Sequence, residues 1–392
     1  MRQQHPGAAL KPPSARARSM PRSAIREIMA LAAERAGVIH LEVGEPDATT
    51  PLYITQAAFE AARAGWTKYS SNAGLPALRQ RIAERCQRRW GGAVAPGQVV
   101  VTTGAIGALY TAIMAVVEAG DEILIPDPGW PNYESIAHLI GAAAVRYPLR
   151  AQSGFLPDLQ DLAARITPRT KAILLNTPGN PTGAVFPRDT MARLVDLARS
   201  QGLYLISDEI YEDIVFGGEH VSAGAFGIGE NVLVISGFSK TYAMTGWRLG
   251  WLVCPPALAP VATGLQEPLT SCASTIAQKA GEAALDGPGE AVAAFRETFR
   301  RRRDLLVEVF GATGLLPTVP QGAFYGLVDI SRAGLPSLEF AKRFLIERNV
   351  ATVPGITFGP SCDRFVRVAF TIADADLREG LQRLRDYLEK GA

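Results

Sequence analysis

The 392-residue chain is poor in metal-binding and cross-linking side chains: its four cysteines and four histidines are scattered along its length. Cys86, Cys254, Cys272 and Cys362 form no CxxC pair, so neither a disulfide framework nor a zinc site is suggested. They read as buried filler in a reducing cytoplasm. No apolar stretch approaches the roughly 20 residues that a membrane helix needs. The start, MRQQHPGAALKPPSARARSMP, lacks a signal peptide's apolar core, and residues 1–18 read as a flexible basic arm. A formal net charge of +2 exerts no general pull toward nucleic acid or membrane. The RRRR run at 300–303, flanked by Glu297 and Asp304, reads as the solvated side of a helix.

What the chain does have is length and alternation. Its size favours two domains. GQVVVTTG, DEILIPD, TKAILLNTP, LYLISDE, NVLVISGF and RLGWLVCP read as buried strands. LPALRQRIAERCQRRW, DTMARLVDLARSQG and AVAAFRETFRRRRDLLVEVF read as helices. Such alternation predicts an α/β fold with a mostly parallel sheet covered on both faces. The DGPG turn before the long helix suggests a boundary: a large domain over 49–287, and a smaller α+β domain from 19–48 and 288–392.

Several polar residues fall just past predicted strands. Gly104 follows VVVTT, Asn180 follows AILLNTPG, Asp208 and Tyr211 follow LYLIS, and Lys240 follows VLVISGF. Open α/β sheets form their ligand crevice there, so one site can be built from distant segments. Lys240, sheltered by Phe238, Met244 and Trp247, has the surroundings of a Schiff-base amine. Arg248, eight residues on, is a fork suited to phosphate, which the helix-opening turn TTGAIGALY could share. An aldehyde at one end and a phosphate at the other describe pyridoxal phosphate. Asp208 would then hold the pyridine nitrogen, Asn180 and Tyr211 the ring hydroxyl, and Trp130 the ring face.

Singly, each residue has a plainer reading. NPTG is a good β-turn, Asp208 could cap a helix, Trp130 and Tyr211 could be core aromatics, and Arg367 could pair with Asp363 or Glu379. Joint occurrence past one set of strands favours the site.

The run GFSKTYAMTGWRLG resembles the lysine signature of the class I aminotransferases of pyridoxal-phosphate fold type I. The resemblance continues in VGEPDATTP at 43, KYSSNAGLPALR at 68, NTPGNPTG at 176, SDEIYEDIVF at 207, PQGAFYG at 320, VPGITFG at 353 and FVRVAF at 365. It spans all but about the first 18 residues. It implies that Lys240 bonds the cofactor and shuttles the substrate's α-proton. It implies that Arg248, Ser239 and the N–H groups after Gly104, on Ala105 and Ile106, hold the phosphate. Arg367 would grip the substrate α-carboxylate beside the backbone of Gly44. Tyr69 would reach the phosphate of a neighbouring subunit, making a homodimer. Gly237 departs from the pattern, since many relatives carry serine there; Ser236 beside it is the remaining candidate, and the phosphate is expected to have one hydroxyl fewer.

The expected activity is ping-pong transfer of an amino group between an L-amino acid and a 2-oxo acid, with 2-oxoglutarate as acceptor. The donor would be aspartate, aromatic or broad in range. LQEPLTSCAS, where relatives strict for dicarboxylates often place an arginine, contains Glu267 and no cation. Two alternatives would retain the cofactor: a β- or γ-lyase on the same scaffold, and a non-catalytic regulator.

Overall fold

Short runs of Val, Ile and Leu favour strands, and strands buried on both faces need helices above and below. The computed structural model, which describes residues 10–21 and 24–390, contains one seven-stranded sheet. Its strands are β1 (Val99–Thr103), β2 (Glu122–Asp127), β3 (Ala143–Pro148), β4 (Thr170–Asn176), β5 (Tyr204–Asp208), β6 (Val232–Gly237) and β7 (Leu249–Val253). They lie in the order β1-β7-β6-β5-β4-β2-β3, all parallel except β7, which runs against both neighbours. Val100, Leu124, Ile173 and Leu205 are fully buried, each contributing about 1.5–3 kcal/mol. Six of the seven strands match the predicted runs. β3, AAVRYP, lies outside them: as an edge strand it pairs only with β2, stays half-buried and needs no continuous apolar run.

The helices that bear on the site are α1 (Ala24–Ala33), α2 (Pro76–Trp90), α3 (Gly104–Val116), α4 (Asn132–Ile140), α5 (Arg188–Ser200), α6 (Thr275–Asp286), α7 (Glu290–Phe310) and α8 (Asp374–Lys390). α5 shows why they form where they do: Met191, Leu194, Val195 and Ala198 share one face at helical spacing, and all are buried. A second, antiparallel sheet joins β8 (Tyr325–Asp329), β9 (Val353–Pro354) and β10 (Phe365–Ala369), with β10 in the middle. Ile39–His40 pairs in parallel with Val350–Ala351, bringing the N-terminal segment onto the C-terminal third. One apolar cluster joins Leu41, Phe310, Phe340 and Val366 to Ile210, Tyr211 and Ile214, so the segment after β5 shares its core with the second sheet. Among the described residues, no helix is long and apolar enough to cross a membrane.

Three expectations need correction. The arginine run is not wholly solvated: Arg302 is 6% exposed and bonds Asp47 and Asp374. Four successive helical residues sweep about 300° of the helix, so one of them must face inward. The N-terminal arm is not uniformly loose either. Residues 1–9 lie outside the described residues, but Ala15–Arg18 is a helical turn whose Arg16 donates to the Leu139 carbonyl of α4 at 3.2 Å. Cys272 is only partly buried, unlike the other three cysteines.

Candidate active site

A cavity of about 480 Å³ opens at the carboxyl edge of the parallel strands, within the range of small-molecule sites. Because β7 runs backward, its first residues return to the edge that β6 has just left. Lys240 and Arg248 are therefore neighbours in space.

Lys240 Nζ donates to the Gly44 carbonyl at 2.8 Å and lies 5.7 Å from the centre of the Phe324 ring. Burial lowers its pKa from 10.5 to about 8; Glu45 opposes the shift, while Arg367 and Arg248 add to it. Arg248 takes a left-handed backbone, with φ of 53°, and donates to the Thr245 carbonyl at 2.8 Å. Its guanidinium covers the start of α3 so closely that a Cβ on Gly104 would stand 2.5 Å from Nη2. A Cβ on Gly250 would stand 2.5 Å from the Ala105 nitrogen. Thr103, the N-cap of α3, gives no side-chain bond, so the N–H groups of the first turn, beside Ala105 and Ile106, can serve an anion. Ser239 also lines this end of the cavity.

Ser236 does not reach it. Strand alternation turns its hydroxyl away, and it donates to Glu212 at 2.8 Å in a buried position. Gly237 is the tighter constraint, because a Cβ there would lie 3.1 Å from both the Gly250 Cα and the Leu249 carbonyl of β7.

Asp208 closes the deep end. Tyr133 donates to its Oδ2 at 2.8 Å and the Ile210 N–H to its Oδ1 at 3.3 Å. No helix begins there, so it caps none. Burial raises its pKa to about 6 against the pull of both hydrogen bonds. Asn176 Nδ2 donates to the Asp208 carbonyl at 3.0 Å, and its Oδ1 accepts the Asn180 N–H at 2.8 Å, tying the ends of β4 and β5 together. The Tyr211 hydroxyl meets that of Tyr325 at 3.0 Å. Trp130 stands edge-on to Tyr133, with ring centres 5.7 Å apart.

Arg367 projects from the middle of the second sheet and is 3% exposed. Its Nη2 donates to the Glu42 carbonyl at 2.6 Å and its Nη1 to Asn180 Oδ1 at 3.2 Å, while Nε has no partner. Neither carboxylate suggested by the sequence takes it: Asp363 accepts from Ser337, and Glu379 from Arg383. Gly44 lines the cavity beside it. Tyr69 lies outside the cavity, 89% exposed. Its flanks are fixed, however, since Thr275 donates to the Lys68 carbonyl at 2.7 Å and Gln278 to Ser70 at 3.0 Å.

The strand-end rule accounts for Lys240, Asp208, Asn180 and Tyr211, and the same cavity is also lined by Arg248, Trp130 and, from the residues that the resemblance supplied, Ser239 and Arg367. Tyr133, Asn176, Tyr325 and Glu45 line it too, and sequence reasoning misses them. Asn176, Tyr325 and Glu45 stand inside motifs quoted above and Tyr133 does not, but each has a partner far along the chain: Asp208 for Tyr133 and Asn176, Tyr211 for Tyr325 and Thr245 for Glu45.

The model of the aminotransferase class I and II family matches residues 36–384. This chain belongs to that family. Among the aminotransferases similar to it, the arginine–pyruvate transaminase of Pseudomonas aeruginosa is 40% identical over 88% of this chain and 89% of its own length. The aspartate/prephenate aminotransferase of Thermus thermophilus is 39% identical over 96% of this chain and 98% of its own. A solved structure titled as the Thermus thermophilus aspartate aminotransferase with maleate superposes with a TM-score of 0.91, at 38% identity, covering 96% of this chain and all of that one (100%). The fold is accordingly fold type I and the chain is an aminotransferase.

Proposed function

We propose that this aminotransferase holds pyridoxal 5'-phosphate in the cavity and takes amino-acid and 2-oxo-acid substrates in alternation. One observation carries the reading: Lys240, Arg248 and Arg367 all line the cavity, yet each donates only to neutral oxygens. Cations left in that state await anionic or carbonyl ligands.

The residues fit the group. Lys240 would bond it; Arg248, Ser239 and the first N–H groups of α3 would hold its phosphate. Asp208 would bond the ring nitrogen, Asn180 Nδ2 and the Tyr211 hydroxyl the ring oxygen, and Trp130 the ring face. When bound, the cofactor supplies a carbonyl for the amino group and a ring that withdraws electrons from the α-carbon. The unpaired Nε of Arg367 and its two Nη groups, each with one acceptor for two N–H donors, would grip the substrate carboxylate, fixing which α-bond stands free to break. Lys240 Nζ, lowered to about 8, can stand neutral at mildly basic pH and take the α-proton.

We also infer a homodimer in which Tyr69 serves the neighbouring subunit's phosphate, supported by an aromatic ring held on a fixed base and left exposed. Four free cysteines suit a reducing cytoplasm. For the donor we infer the aspartate, aromatic or broad range, with 2-oxoglutarate as acceptor. Among the described residues, the cavity lining has no cation beyond the three already assigned, which favours the aromatic and broad part of that range.

The test is a half-reaction screen. Cofactor-loaded protein mixed with each L-amino acid should lose its visible absorbance, and Lys240→Ala should slow that loss by about 10⁴-fold. Wild-type rates in the variant would overturn the assignment.

A further inference from the structure

We propose that Arg302 is a positioning residue for the substrate-carboxylate end of the site, acting through Asp47. The inference rests on the function proposed above.

Segment 42–47 supplies two carbonyls to the site's cations: Glu42 to Arg367 at 2.6 Å and Gly44 to Lys240 at 2.8 Å. Three side chains of that segment are also engaged: Glu42 meets His40 at 2.7 Å, Glu45 accepts from Thr245, and Asp47 faces α7. Arg302 grips Asp47 with both ends of its fork, Nη1 to Oδ1 at 2.8 Å and Nη2 to Oδ2 at 2.7 Å. Its Nε donates to Asp374 at the start of α8 at 2.9 Å. The two carboxylates are 39% and 40% exposed, whereas the arginine side chain is only 7% exposed. The cation is thus fixed by its burial on α7 and holds the Asp47 end of the loop, while Thr371 holds the other end by donating to the Val43 carbonyl at 2.7 Å.

Bidentate pairing sets both distance and plane, which a single hydrogen bond does not. Displacing segment 42–47 would move the two carbonyls that orient Arg367 and Lys240, and small displacements at a reacting centre are costly. A plain structural pair would stabilise the fold without regard to which carboxylate is lost. A positioning residue acts through Asp47 alone.

Three variants separate these cases: Arg302→Met, Asp47→Asn and Asp374→Asn. The exposure of both aspartates lets water replace the lost partner, so each variant should fold. Arg302→Met and Asp47→Asn should raise KM for amino and oxo acid by about tenfold while kcat changes far less. Asp374→Asn should leave both constants near wild type. The double variant Arg302→Met/Asp47→Asn should be no worse than either single one. In the cofactor-free protein, amide hydrogen exchange over residues 43–49 should quicken in the first two variants and not in Asp374→Asn. Equal effects from both aspartates, or an unchanged KM in Asp47→Asn with unchanged exchange, would overturn the proposal. Lost half-reaction in the wild-type protein would instead count against the function itself.

Discussion

Two groups of cations in this molecule meet opposite fates. Behind the strand ends, Arg85 and Arg89 of α2 bond Asp213 at 2.7 and 2.5 Å, with Glu212 at 3.4 Å from each. In the cavity, Lys240, Arg248 and Arg367 bond carbonyl and amide oxygens, and no ion pair forms on any of them among the described residues. Both groups lie close to the same loops, for Thr241, next to Lys240, donates to Asp213 at 2.8 Å. The difference separates cations that hold the chain together from cations kept for a ligand. Burying a charge without a counter-charge is costly, and a fold retains that cost where binding offsets it.

The comparison can be broken most forcefully at Arg367. Arg367→Ala should lower kcat/KM by about 10³-fold for every amino and oxo acid together, because the group they share has lost its partner. Steady-state kinetics over a substrate panel measures it, and a loss confined to one side chain would contradict the role. Arg85→Ala should behave in the opposite way. It leaves one buried and one partly buried carboxylate with one cation, so urea unfolding should show a loss of about 3 kcal/mol while the half-reaction rate stays within about threefold.

Asp208 sharpens the contrast from the anionic side. Its pKa is raised from 3.8 to about 6, so the folded chain keeps a proton that the unfolded chain has released. Stability therefore falls as pH rises through that window, and the full cost is present at pH 7. Asp208→Asn should stabilise the cofactor-free protein by about 2 kcal/mol at pH 7, with the gain gone below about pH 4, even as transamination suffers. Thermal melts across pH would reveal it; a variant less stable at pH 7 would reject it.

Much of the fold and the site is legible in the amino-acid order alone. The strand runs are apolar on both faces, and a parallel sheet fixes where their carboxyl ends meet, so Lys240, Asp208 and Asn180 can be grouped without coordinates. β3 cannot, because an edge strand carries a weaker apolar signal. Tyr133 cannot either, since its partner Asp208 lies 75 residues away. Arg302 reads as one of four exposed arginines because helix orientation is decided by packing, and local sequence does not state which of four neighbours turns inward. For Ser236 the error is a single step of strand alternation.

Gly237 links chemistry to the packing of two strands. A side chain there would come so near the Gly250 and Leu249 backbone that a serine would have to displace β7 by a few tenths of an ångström, and Arg248 is the residue just before that strand. A hydroxyl added at this position would therefore disturb the guanidinium it would assist. A Gly237→Ser substitution is thus opposed from within, and it should be accommodated only with a compensating change in the facing strand.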